Sequence, residues 1–238
     1  MASFLPGVGT VPGRLDSATP MPARLRPSAP IAADAILVGD PGRALMLAQE
    51  LLEQPKMSNH ARGLWGYTGR SAAGHELTIQ STGMGGPSAS VVLADLAELG
   101  VRRAIRIGTC ASLGDLELGD LVVVGSARVG FASPEDGKTP LPDRELTEGL
   151  QARLPEAPVA SVVSLDSLYR PERDLPSVLA EVADMQTASL LATAAEHGVA
   201  LAALLIVAEK SAAGQLRDED LEEMAKRAGH ATAGVLSP

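Results

Sequence analysis

The chain has 238 residues, with 20 Lys and Arg against 29 Asp and Glu, and a formal net charge of −9. Hydrophobic residues make up 45% and charged residues 21%, which excludes a disordered or collagen-like chain and points to one globular domain. The acidic balance argues against nucleic acid or an anionic membrane surface as a partner, because both attract basic patches.

One Cys and four scattered His exclude an internal disulfide and a zinc-type cluster, so no metal is expected. No apolar run approaches the ~18 residues of a membrane span. No basic segment followed by an apolar stretch opens the chain, so the expectation is a cytoplasmic protein. Aromatics are only 2%, leaving Ala, Val, Leu and Ile to build the core.

Residues 1–30 carry Pro6, Pro12, Pro20, Pro22, Pro27 and Pro30 among several glycines and read as a flexible arm, with the folded domain over 31–238. Met21 is an alternative start. Ala35–Val38 is a short apolar strand closed by the turn Gly39-Asp40-Pro41-Gly42, and a helix follows over Arg43–Glu53. Leu77–Gln80 reads as a strand leading into the small-residue loop Thr82–Ser88. A helix then spans Ala89–Leu99, with Gly100 at its C-terminal end. Further strands fall at Ala104–Thr109, Leu121–Val124 and Ala203–Val207, and helices at Val182–His197 and Arg217–Ala231. The alternation predicts an α/β fold: a single domain with a twisted mixed, mostly parallel central sheet flanked by helices. Ligands in such sheets bind beyond the C-terminal strand ends.

Three segments sit at those strand ends. Gly39-Asp40-Pro41-Gly42-Arg43 joins a close-approach backbone and a helix N-terminus to a guanidinium, which suits an anion; an ordinary Asp-Pro-Gly turn with a solvated Arg has the same residues. In Ile105-Arg106-Ile107-Gly108-Thr109-Cys110 an Arg stands inside an apolar strand, where it needs either a buried carboxylate or an anionic ligand. Two Arg residues at adjacent strand ends favour phosphate. Cys110 has no local base and reads as a small buried filler. The glycine loop Gly83–Gly86 lacks the spacing of a P-loop or a dinucleotide fingerprint.

These segments, with Asn59–Gly69 between them, stand in the order and spacing found in the nucleoside phosphorylases, and the chain resembles that family from about Ile31 to Gly214. The resemblance implies the nucleoside phosphorylase fold and phosphate-dependent cleavage of an N-glycosidic bond, giving free base and a pentose 1-phosphate. It implies no cofactor beyond inorganic phosphate as co-substrate. It implies a homo-oligomer, with a dimer as the minimal active unit and a hexamer compatible. By the same resemblance Gly39, Arg43, Arg106 and Thr109 hold phosphate, together with Arg62 from a neighbouring subunit. Met185 and Gln186 meet the sugar, Val163, Asp184, Cys110 and Ala111 meet the base, and Glu209 and Arg106 are catalytic.

The chain departs from the family pattern at several of these positions. Asp184-Met185-Gln186 replaces Glu-Met-Glu, exchanging a carboxylate for an amide. Ala208-Glu209 replaces Ser-Asp, and Glu209 stands either as the acid for a departing base or as half of a solvated pair with Lys210. Val163 stands where an aromatic residue usually stacks on the base, and the N-terminal His expected at a neighbour's sugar is missing, with Arg24 nearest to it. Ser164-Leu165-Asp166-Ser167-Leu168-Tyr169 resembles a stretch of the purine members, which makes purine nucleosides the expected substrate class. Uridine or broad-specificity phosphorolysis is the alternative, and a degenerate paralogue that binds without turnover is a third reading.

Overall fold

The structure is a computed structural model that describes residues 23–130, 140–166, 180–211 and 213–237. Its first strand, β1 (Asp34–Val38), is buried along its whole length. Helix α1 (Pro41–Leu51) follows, started by Asp40, whose Oδ1 accepts from the Arg43 amide at 2.7 Å, and by Pro41 in the first turn. It buries Ala44, Leu47, Ala48 and Leu51, one stripe at helical spacing. A meander of β2 (Leu52–Asn59), β3 (Gly66–Ser71) and β4 (Glu76–Ser81) comes next. Helix α2 (Gly85–Glu98) begins four residues before the expected start, so the second half of the glycine loop forms its first turn.

The remaining elements are β5 (Arg103–Ser112), β6 (Leu121–Val129), α3 (Arg144–Arg153), β7 (Val159–Ser164), β8 (Val182–Asp184), α4 (Thr187–His197), β9 (Ala200–Lys210), β10 (Gly214–Gln215) and α5 (Asp218–Leu236). One expected element is corrected. Val182–His197 is not a single helix: Val182–Asp184 pairs with β5 and β7 as a strand, and the helix starts at Thr187. The Asp184 carboxylate accepts from the Thr187 amide at 3.0 Å and its hydroxyl at 2.6 Å, which marks the switch from strand to helix.

The sheet is mixed. Parallel β4, β1, β5 and β9 form its centre. Beyond β9 the order continues through β6, β7 and β8, and β8 returns to pair with β5, so these five strands close into a ring. Closure covers the end of β5 that extends beyond its pairing with β1. Along β9, Leu201, Ala203, Leu205 and Val207 pack with α2 and α4, whereas Ala202, Leu204 and Ile206 pack with α1, α3 and α5. Both faces are covered, which is why this strand reads as an unbroken apolar run.

Residues 24–28, expected in the arm, are packed onto the domain. Leu25 is buried, its amide and that of Arg24 donate to Asp95, and the Arg26 amide donates to Asn59. Residues 1–22 of the expected arm lie outside the described residues, as do Ser167–Tyr169.

Candidate active site

The carboxyl ends of β1, β4, β5 and β9, with the start of α4, enclose a cavity of about 540 Å³. Gly39, Asp40, Arg43, Gly83, Met84, Arg106, Gly108, Thr109, Asp184, Met185, Gln186 and Glu209 line it. Eight of the residues singled out from the sequence therefore meet in one place: Gly39, Arg43, Arg106, Thr109, Asp184, Met185, Gln186 and Glu209.

Arg106 is buried at 4% exposure, and three side chains of the β8–α4 junction hold its guanidinium. Nη2 donates to Asp184 Oδ2 at 3.0 Å, Nη1 to Gln186 Oε1 at 2.6 Å, and Nε to Thr187 Oγ1 at 3.2 Å. A guanidinium has five N–H donors, so two remain for a ligand among the described residues. Asp184 neutralises the charge, and Ser164 donates to its other oxygen at 2.5 Å. The buried ion pair is thus hydrogen-bonded on both partners, which offsets its desolvation. The Arg in the apolar strand has its carboxylate and retains capacity for an anion.

Gly108, which the sequence reading passed over, makes this placement possible. A Cβ there would lie 2.5 Å from Arg106 Nη2 and 2.6 Å from Cζ, because the Arg side chain lies along its own strand over the residue two positions on. The Arg-x-Gly spacing was the available signal.

Arg43, in the first turn of α1, forms no ion pair among the described residues. Burial lowers its pKa, Asp40 opposes that shift, and the nearby Arg106 adds to it. The guanidinium stays charged, so two coupled cations and a helix N-terminus line the same cavity. The Thr109 hydroxyl has no partner among the described residues. Together they form a candidate anion pole.

Glu209 enters the cavity through a bulge. In the β5–β9 ladder Cys110 pairs with Val207 and Ala111 with Glu209, leaving Ala208 as the extra residue. The solvated Glu209–Lys210 pair is not formed: Lys210 Nζ lies 2.6 Å from Glu117 Oε1, and Glu209 lines the cavity without an ion pair among the described residues.

Other expected residues stand elsewhere. Val163 is fully buried in a small cluster with Leu165, Ala180 and Ala183. Cys110 is buried, and its thiol pKa is pushed far up by desolvation and, secondarily, by Asp184. Neither these nor the half-buried Ala111 lines the cavity. Gln186, expected at a pair of sugar hydroxyls, has both amide protons directed at backbone carbonyls, Gly83 O at 2.6 Å and Gly85 O at 3.4 Å. Asp184, expected at the base, has its carboxylate engaged by Arg106, Thr187 and Ser164. Arg62 is exposed, in a left-handed conformation at φ 60°, and lines a different cavity with Arg24, Arg26 and His60.

The model of the phosphorylase superfamily matches residues 34–238. A DeoD-type purine nucleoside phosphorylase of Caldanaerobacter subterraneus subsp. tengcongensis is 31% identical over 205 residues, covering 78% of this chain and 86% of that protein. A counterpart from Bacillus cereus is likewise 31% identical, over 78% and 85% of the two chains. The crystal structure of purine nucleoside phosphorylase from Toxoplasma gondii in complex with immucillin-H superposes with a TM-score of 0.74 at 24% identity, covering 86% of this chain and 91% of that one. That likeness is one of fold. Matched over residues 34–238, the chain belongs to the phosphorylase superfamily and, within it, to the nucleoside phosphorylases, a family of pentosyltransferases.

Proposed function

We propose that this protein is a purine-preferring nucleoside phosphorylase, and the observation that carries the reading is the anion pole. Arg43, Arg106, Thr109 and the start of α1 face one cavity, and Arg106 keeps two N–H donors beyond its internal partners. Enzymes that use water as nucleophile have no need of such a pole. Phosphate held there is concentrated and oriented toward the anomeric carbon. A phosphate oxygen forms the new bond to that carbon as the glycosidic C–N bond breaks, and the bonding pair leaves with the base. Glu209, a carboxyl group in the cavity with no internal partner among the described residues, would deliver a proton to the departing base. Met185 would lie against the pentose.

The preference for purines rests on the names of the relatives and on Glu209 as an acid for the leaving group. Arg62 does not line the cavity of its own chain, and the reading gives it to the phosphate of a second copy, making the active unit a homo-oligomer. The test is base release from inosine, adenosine, guanosine, uridine and thymidine, with and without phosphate. Phosphate-dependent release, faster from the three purine nucleosides, is the expected result. Release independent of phosphate would overturn phosphorolysis, and uridine or thymidine as the best substrate would overturn the purine preference. No release from folded protein would favour a non-catalytic binder.

A further inference from the structure

The cavity that Arg62 shares with Arg24, Arg26 and His60 has a volume of about 600 Å³, and no carboxylate lines it among the described residues. Arg62 reaches it from an exposed turn at residues 61–63, where Arg62 and Gly63 stand in left-handed conformations at φ 60° and 71°. That backbone is unfavourable for a residue with a Cβ, so the turn needs a hold from outside. Asn59 supplies one. Its side chain is fully buried, Nδ2 donates to Leu64 O at 2.5 Å and to Ala61 O at 3.4 Å, and Oδ1 accepts from the Arg26 amide at 2.8 Å. The amide orientation follows from chemistry, since the two carbonyls only accept and the backbone N–H only donates. One carboxamide therefore joins the Arg62 turn to the segment that carries Arg24 and Arg26.

We propose that Asn59 is a positioning residue for a site it does not touch: its carboxamide fixes the turn that presents Arg62, and through it the binding of phosphate in a second copy of the chain. The proposal rests on the reading that gives Arg62 to that copy's phosphate. Neither Asn59 nor Arg62 lines the active-site cavity of its own chain. A route within the chain also exists, because a Cβ at Gly83 would lie 3.2 Å from Leu64 Cδ2, and Gly83 lines that cavity. The hydrogen bonds favour the route to the second copy. On the Gly83 side, Leu64 O also accepts from the Gln80 side chain at 2.9 Å, and Trp65 O from the Ser81 amide at 2.9 Å, so this stretch is held without Asn59. On the Arg62 side, Ala61 O and the Arg26 amide have their side-chain partner in Asn59.

The experiment measures kcat and KM for phosphate and for nucleoside in wild type, Asn59→Ala, Arg62→Ala and the double variant, with the oligomeric state of each from light scattering. Asn59→Ala should raise the phosphate KM by about five- to tenfold, because a displaced guanidinium loses much of its hold, and leave the nucleoside KM within about threefold. Added to Arg62→Ala, the same change should cost less than about a further twofold, because both act through one guanidinium. Mixed oligomers of differently tagged Asn59→Ala and Glu209→Gln chains decide between the two routes. In them a cavity with an intact Glu209 meets an intact Arg62 turn from its neighbour, and the phosphate KM should return to within about twofold of the wild type.

A phosphate KM unchanged in Asn59→Ala overturns the proposal. So does one that stays raised in the mixed oligomers, which places the effect inside one chain, or one fully additive with Arg62→Ala. Loss of the oligomer in Asn59→Ala also overturns it, because the amide would then hold an interface and not a guanidinium. Should Asn59→Ala not fold, Gly63→Ala takes its place: nothing lies within 4 Å of the added methyl, but the φ of 71° strains the same turn. A phosphate KM unchanged in Gly63→Ala overturns the proposal, and a raised one that recovers in the mixed oligomers supports it. An unchanged phosphate KM in Arg62→Ala overturns the second-copy reading and the proposal with it. Wild-type turnover indifferent to phosphate overturns the phosphorylase reading itself, so the failures are distinct.

Discussion

The ammonium of Lys210 lies 2.6 Å from a carboxylate oxygen of Glu117, not on its neighbour Glu209. Successive strand residues point to opposite faces, and the Ala208 bulge sets which of the two enters the cavity. The cation next to Glu209 in the sequence is engaged elsewhere.

Glu209→Gln, which keeps size and removes the acid, should lower kcat for purine nucleosides by about 10²-fold or more. Lys210→Ala should change kcat less than about threefold, since Lys210 does not line the cavity, and its pair with the exposed Glu117 is worth at most about 1 kcal/mol. Steady-state kinetics on both variants decides the matter. Equal losses in the two would remove Glu209 from its role as acid.

Gly108→Ala should act through Arg106. The added carbon falls within 3 Å of three guanidinium atoms, and the Arg, buried and held by Asp184, Gln186 and Thr187, cannot move without giving up those bonds. We expect a stability loss of about 1–3 kcal/mol and a phosphate KM raised about tenfold or more. Gly114→Ala is the control, because a Cβ there meets nothing within 4 Å. Chemical denaturation and phosphate titration on both variants provide the comparison.

Arg106→Ala should abolish phosphorolysis and also weaken the fold, because Asp184 would remain as a buried, unpaired charge, at a cost of about 3–5 kcal/mol. Adding Asp184→Asn should recover part of the stability and none of the activity. Denaturant midpoints with initial rates for the single and double variants separate the two effects. Full activity in Arg106→Ala would sink the phosphate assignment.

The strands and helices that position the site were legible because their local signals agreed. The Asp-Pro-Gly turn fixed the start of α1 within two residues, and apolar runs marked the buried cores of β1, β5 and β9. β2 and β3 were missed. β2 reads as polar because half of its residues are exposed, and its partner β3 carries two glycines, so periodicity had little to act on. The antiparallel return of β8 to β5, which closes the ring, was illegible because three residues of strand preceding a strong helical pattern carry no signal of their own.

By itself the sequence determined the residue types at the strand ends: two Arg residues, a Thr, a carboxylate and the glycines among them. Those choices follow from charge and conformational freedom, which are local properties. Tertiary structure alone decided what each of them can do. Asp184 and Gln186 are separated from Arg106 by 78 and 80 positions, and only the closed sheet brings them to its guanidinium. That meeting puts a residue expected at the base and one expected at the sugar in hydrogen-bond contact with Arg106. Likewise one extra residue in a ladder, invisible along the chain, points Glu209 into the cavity and leaves Lys210 to Glu117.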